Sequence, residues 1–295
     1  METLNTAFKD IIKEVIRLSK SPDIVTGENV YQEADRNILP YLDQMIESVL
    51  LPGSRLSGLE NLEELYTRAL SGHSCLLLLE HYSNFDLSLF TYLARKAGGR
   101  GEQIANSIIA IAGMKLNEAN PVVSAFASAY TRIVIYPSRS IKELEGEVRA
   151  TEIARSNAIN RAAMKALTDH KDKGRLVLIF PSGTRFRPWD PSSGRGVREV
   201  DSYIKSFDYM CLVAVNGNCL KVREGDMLDD VVEKDVVLLS AGPPLPCREF
   251  RDRIRAETEV ASPGADKKQA VADAIMAELL KMHDEAEKIR SKNLG

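Results

Sequence analysis

The sequence predicts an α/β fold: a mixed, mostly parallel central sheet flanked by helices, with a small N-terminal helical domain. Three observations lead there. From Cys75 onward, short apolar runs of strand length alternate with stretches of helical periodicity, the pattern of parallel strands joined by covering helices. Before Leu51 the periodicity is helical throughout. The chain has 295 residues, 44% of them apolar, which suffices for a large buried core and argues against disorder.

Taken in order, Phe8, Ile11, Ile12, Val15 and Ile16 recur on one helical face, and Ala34, Ile38, Leu42, Met45, Ile46 and Val49 on a second. Ser21-Pro22 and Thr26-Gly27 separate the two runs, and Leu51-Pro52-Gly53-Ser54 breaks the second. This sets a boundary near residue 55, dividing a helical domain over 1–55 from an α/β domain over 56–295. A helix rich in Leu and Glu follows from Leu59 to Leu70 and is closed by Ser71-Gly72. Strands are expected over Cys75–Leu79, Ser107–Ala112, Arg132–Tyr136, Leu176–Phe180, Leu212–Val215 and Asp235–Ser240. Helices are expected from Glu147 to His170 and from Ala265 to Ile289; in the latter, a stripe of Val271, Ile275, Leu279 and Met282 is suited to covering the sheet.

The net charge of −3, from 39 basic and 42 acidic residues, gives no global field toward nucleic acid or an anionic membrane. Any anion site must be local. Cys75, Cys211, Cys219 and Cys247 lack the short paired spacing of metal or redox motifs, and no metal is expected. Met1 to Lys20 lacks the pattern of a signal peptide, and no apolar run approaches the roughly 20 residues of a spanning helix. A cytoplasmic setting with at most peripheral membrane contact is the expectation.

Two loops at strand ends carry most of the chemistry. Glu80-His81-Tyr82-Ser83-Asn84-Phe85-Asp86 lies between an apolar strand and a helix beginning near Asp86. Functional residues gather at the carboxyl ends of strands in open α/β sheets, and this spacing lets a His and an Asp fold back within hydrogen-bond reach. The same segment is compatible with a packing histidine and an acid favoured by the helix dipole. The second loop, Phe180-Pro181-Ser182-Gly183-Thr184-Arg185-Phe186-Arg187-Pro188-Trp189, presents two arginines two positions apart. In extended chain such residues point the same way, so both guanidiniums suit one phosphate; the alternative is a solvated arginine loop. Trp189 is expected to pack under it. A third strand, through Tyr136-Pro137-Ser138-Arg139-Ser140, delivers Arg139.

Together these segments resemble the glycerolipid acyltransferase family. Its blocks are a His and an Asp separated by four residues, a strand ending in a basic residue, and a Phe-Pro-Glu-Gly-Thr-Arg turn. Pro181-Ser182-Gly183 followed by Arg185-Phe186-Arg187 is closest to the soluble chloroplast-type glycerol 3-phosphate acyltransferases of that family, as are Ala112-Gly113-Met114-Lys115-Leu116 and Asn120-Pro121. That branch also carries a helical N-terminal domain. The chain departs from the pattern in three places. Ser182 stands where the wider family has Glu, Ser138-Arg139-Ser140 stands where the branch has Lys-Lys-His, and Leu212-Val213-Ala214-Val215 lacks the proline of a fourth block.

The resemblance implies transfer of a fatty acyl group from a thioester to the sn-1 hydroxyl of glycerol 3-phosphate, giving lysophosphatidate. His81 would be the base, Asp86 its partner, and Arg139, Arg185 and Arg187 the phosphate ligands, with no cofactor and no acyl-enzyme. The donor would be a carrier-protein (acyl-ACP) or coenzyme A (acyl-CoA) thioester, and Arg195, Arg198 and nearby lysines are the basic residues available to an acyl carrier protein. Ser182 and Gly183, and the helix start after Ser83, are candidates for oxyanion donors. Two other readings stand beside this one: transfer to lysophosphatidate (a 1-acylglycerol-3-phosphate acyltransferase), and a noncatalytic phosphate- or lipid-binding relative. His73, His170 and His283, with no ligand-like spacing, are expected at the surface.

Overall fold

The computed structural model describes residues 2–22, 24–114, 120–137, 141 and 145–292. Arg139 and Lys115 lie outside the described residues. The strands are β1 (Glu2–Thr3), β2 (Tyr31–Gln32), β3 (Arg55–Ser57), β4 (Cys75–Leu79), β5 (Ile108–Gly113), β6 (Arg132–Ile135), β7 (Leu176–Ile179), β8 (Tyr209–Asn216), β9 (Leu220–Lys221), β10 (Val231–Val232), β11 (Leu238–Ala241) and β12 (Leu245–Pro246). The helices are α1 (Leu4–Ala7), α2 (Lys9–Leu18), α3 (Leu39–Val49), α4 (Leu59–Leu70), α5 (Asp86–Lys96), α6 (Gly101–Ser107), α7 (Pro121–Ala127), α8 (Gly146–His170), α9 (Val200–Ser206), α10 (Cys247–Ala261) and α11 (Lys267–Lys292).

The main sheet runs β2-β6-β5-β7-β4-β8-β11-β3, with β12 paired to β8. From β6 to β8 every neighbour is parallel, while β2, β11 and β12 join antiparallel. The predicted mixed, mostly parallel sheet flanked by helices is what the chain forms. In β4 all five residues are buried, as expected of a central parallel strand covered on both faces. Its alternation sorts them: Cys75, Leu77 and Leu79 join one core with Leu178 and Val213, whereas Leu76 and Leu78 join the other with Val177 and Leu212. Each fully buried Leu of this kind contributes about 1.5–3 kcal/mol of transfer free energy.

The first core is closed by α2 to α7, through residues such as Ile12, Met45, Leu65, Phe90 and Val122. The second is closed by α8 to α11, through Ile159, Ile204, Phe250 and Ile275. Residues ahead of position 55 therefore share the first core with the sheet, and they also place β2 beside β6 and β1 beside β10. A second, small sheet, β1-β10-β9, results.

Several boundaries differ from the periodicity. The helix expected from Ala34 begins at Leu39, because Pro40 sits in the first turn, where its fixed φ and missing N–H fit. The last of these expected strands begins at Leu238, not Asp235: Asp235 forms an isolated parallel bridge with Leu50, while its carboxylate accepts from Val236 N and Asn218 N and pairs with Arg290. The stripe of α11 buries Val271, Ile275 and Leu279 in the second core as expected. All four cysteines are reduced and buried, and burial pushes their thiols up, to about 12 for Cys75 and Cys219.

Candidate active site

Parallel strands deliver their carboxyl ends to one side of the sheet, and β4 and β7 are adjacent. The His81 loop and the arginine loop are thereby neighbours. They are joined directly: Phe186 N donates to His81 O at 2.8 Å, and the Phe180 ring stacks on His81 with centroids 3.9 Å apart and planes 18° apart.

Asp86 opens α5 and is 1% exposed. Its Oδ2 accepts from Tyr82 N at 2.6 Å and Ser83 N at 2.9 Å, and lies 2.8 Å from His81 Nδ1. Its Oδ1 accepts the Ser83 hydroxyl at 3.0 Å. Donors thus meet both oxygens of the Asp86 side chain and fix its orientation. Facing it, Nδ1 carries the proton and Nε2 is the acceptor nitrogen, which is the tautomer a general base requires. The fold brings His81 and Asp86 into the contact their spacing allowed.

In the second loop, Gly183 adopts φ +63°, which favours glycine, and a Cβ there would stand 3.3 Å from Val197 Cγ1. Gly183 N donates to Phe180 O at 2.8 Å, and the buried Ser182 hydroxyl donates to Thr184 O at 2.7 Å. Both groups thus stabilise the turn itself. The two arginines differ. Arg185 Nη1 pairs with Asp230, a fully buried carboxylate whose other oxygen accepts Arg223 N at 2.9 Å. Burial raises the Asp230 carboxyl above its ordinary value, with Arg185 pulling it back. Arg187 has no ion pair among the described residues; its Nη2 lies 3.5 Å from Thr184 Oγ1. Trp189, expected to pack beneath this loop, is 43% exposed, because it sits at the tip of a turn closed by the bridge between Arg187 and Asp190.

Two participants escaped the sequence. Asp230 lies 45 positions from Arg185, in an acid-rich segment where nothing sets it apart from Asp226 and Asp229. His283, expected at the surface, is instead half-buried, with Nδ1 at 3.0 Å from Glu80 Oε2 and 3.4 Å from the Tyr82 hydroxyl. The Glu80 contact is the main cause of a raised His283 pKa, partly offset by desolvation. Arg195 and Arg198 pair with Asp273 and Asp266. Among the described residues, no three of His, Cys, Asp and Glu gather as around a metal ion, and no helix is long and apolar enough to cross a membrane.

A family model described as Acyltransferase matches residues 54–224, more than half of the chain and a span that contains both loops. No curated protein matches the chain.

Proposed function

From the premise that the chain belongs to the acyltransferase family, we propose that it acylates glycerol 3-phosphate at the sn-1 hydroxyl, drawing the acyl group from a carrier-protein or coenzyme A thioester. The observation that carries the reading is the buried His81 Nδ1 to Asp86 Oδ2 contact of 2.8 Å, fastened to a loop that presents Arg185 and Arg187.

An alcohol is a poor nucleophile at neutral pH, so attack on a thioester needs a base on the acceptor hydroxyl. Nε2 of His81 takes that proton as the oxygen bonds to the thioester carbonyl carbon. Asp86 stabilises the imidazolium so formed. The tetrahedral intermediate then collapses, the C–S bond breaks, and the departing thiolate takes the proton from Nε2. One ester and one thiol result, with His81 returned to its starting state. The arginines hold the phosphate, converting remote binding energy into alignment of the free hydroxyl. With Arg185 already facing Asp230, Arg187 is the one of these two with more charge left to offer.

Purified protein given glycerol 3-phosphate or lysophosphatidate, each with acyl carrier protein or coenzyme A thioesters, is expected to form lysophosphatidate from the former, as read by mass spectrometry. Product from lysophosphatidate alone would assign the chain to the second acylation. No product in any combination would sink the enzyme reading.

A further inference from the structure

We infer that His283 is a positioning residue for the proposed reaction, holding Glu80 and through it the strand end on which His81 is mounted. The inference rests on His81 acting as the base.

Glu80 immediately precedes His81 and is 6% exposed. A buried carboxylate is costly unless its oxygens find donors. Here Oε2 accepts Val215 N from β8 at 2.8 Å and faces His283 Nδ1 from α11 at 3.0 Å, while Oε1 accepts the Tyr82 hydroxyl at 3.2 Å. Both chain neighbours of His81 are thereby fixed. Glu80 is tied by its side chain to β8 and α11, and Tyr82 by its N–H to Asp86 and by its hydroxyl to Glu80. The backbone at His283 is itself set against β8, since its carbonyl accepts Asn216 Nδ2 at 3.0 Å. Among the described residues of α11, Arg290 is engaged with Asp235 and Glu287, and His283 is the basic side chain that meets Glu80.

The groups facing His283 are Glu80 and Tyr82 from the loop after β4, and Asp284 and Glu287 from its own helix. Burial keeps the Tyr82 phenol protonated, its pKa pushed well above the ordinary value, so it serves Glu80 as a neutral donor. The imidazolium is therefore the cation on that carboxylate among the described residues. With a raised folded value, its contribution is fully present below the ordinary 6.5 and is lost as pH rises through the folded value. Wild-type kcat should accordingly fall on the alkaline side as His283 loses its charge.

The test compares full-length wild type, His283→Ala and His283→Asn, measuring kcat, both KM values, the pH profile of kcat and the thermal midpoint. Asparagine places an amide nitrogen at the same remove from the backbone as Nδ1 and does not titrate. His283→Ala is expected to lower kcat about ten- to a hundredfold, the scale of a misplaced catalytic group, with both KM values unchanged. His283→Asn is expected to restore most of kcat at neutral pH and to flatten the alkaline limb. Wild-type kcat in His283→Ala, a loss confined to KM, or an unaltered alkaline limb in His283→Asn would each overturn the inference. If His283→Ala fails to fold, His283→Asn decides alone. A fully active His81→Ala would instead bring down the reading of the base beneath it.

Discussion

Alanine at position 81 is expected to lower kcat by about 10²–10⁴-fold, the usual contribution of a positioned general base, with KM for the acceptor nearly unchanged. The loss should be specific to chemistry because the side chain belongs to neither hydrophobic core: it is 16% exposed, pairs with Asp86 and stacks on Phe180. Asp86 makes a poorer probe. Its removal would strand Tyr82 N, Ser83 N and the Ser83 hydroxyl, and each buried donor left unsatisfied costs about 1–3 kcal/mol, so lost activity would mix with lost folding. The measurement is steady-state turnover of glycerol 3-phosphate beside a thermal melt. A folded His81→Ala protein with wild-type kcat would remove His81 from the mechanism.

Charge reversal in the arginine loop is expected to have the next largest effect, and the two positions should fail differently. A charge-assisted bond to phosphate contributes about 1.5–3 kcal/mol. At about 1.4 kcal/mol per decade, losing it raises KM for glycerol 3-phosphate about ten- to a hundredfold, and reversal adds repulsion to that. Arg187→Glu breaks no ion pair among the described residues, so it should act on acceptor KM with the thermal midpoint and the thioester KM preserved. Arg185→Glu sets a carboxylate against buried Asp230, and breaking a buried pair costs about 3–5 kcal/mol, so this variant should lose stability as well as activity. Equal acceptor KM in wild type and Arg187→Glu would sink the phosphate assignment at that position.

How much of this was legible in the sequence depended on how local the signal was. β4 reads directly from Cys75-Leu76-Leu77-Leu78-Leu79, and α4 from its apolar spacing between Gly58 and Ser71, because those residues state their own burial. The two-residue strands β1, β2, β9, β10 and β12 are too short for alternation to register. Helix α10 is faint in the sequence for a different reason: of its residues only Cys247 and Phe250 are buried, so no apolar stripe marks it. The contact between His81 and Asp86 is likewise local and was readable from spacing. The counter-charges were not. Asp230 and His283 reach Arg185 and Glu80 across the fold, and only the chain path through β10 and α11 brings them there.

The place of β4 in the sheet bears on how the molecule breathes. Its amides and carbonyls are engaged on both sides, by β7 and by β8, deep in the middle of the main sheet. Amides in such a strand exchange with solvent only when the whole domain opens, whereas the β1-β10-β9 ladder, built of two-residue strands, can come apart alone. In deuterated water the segment ending at His81 should therefore label last, and the segment at Val231 and Val232, next to the carboxylate that restrains Arg185, should label among the first. The base would ride on the slowest-exchanging part of the protein, and the arginine's counter-ion on one of the fastest.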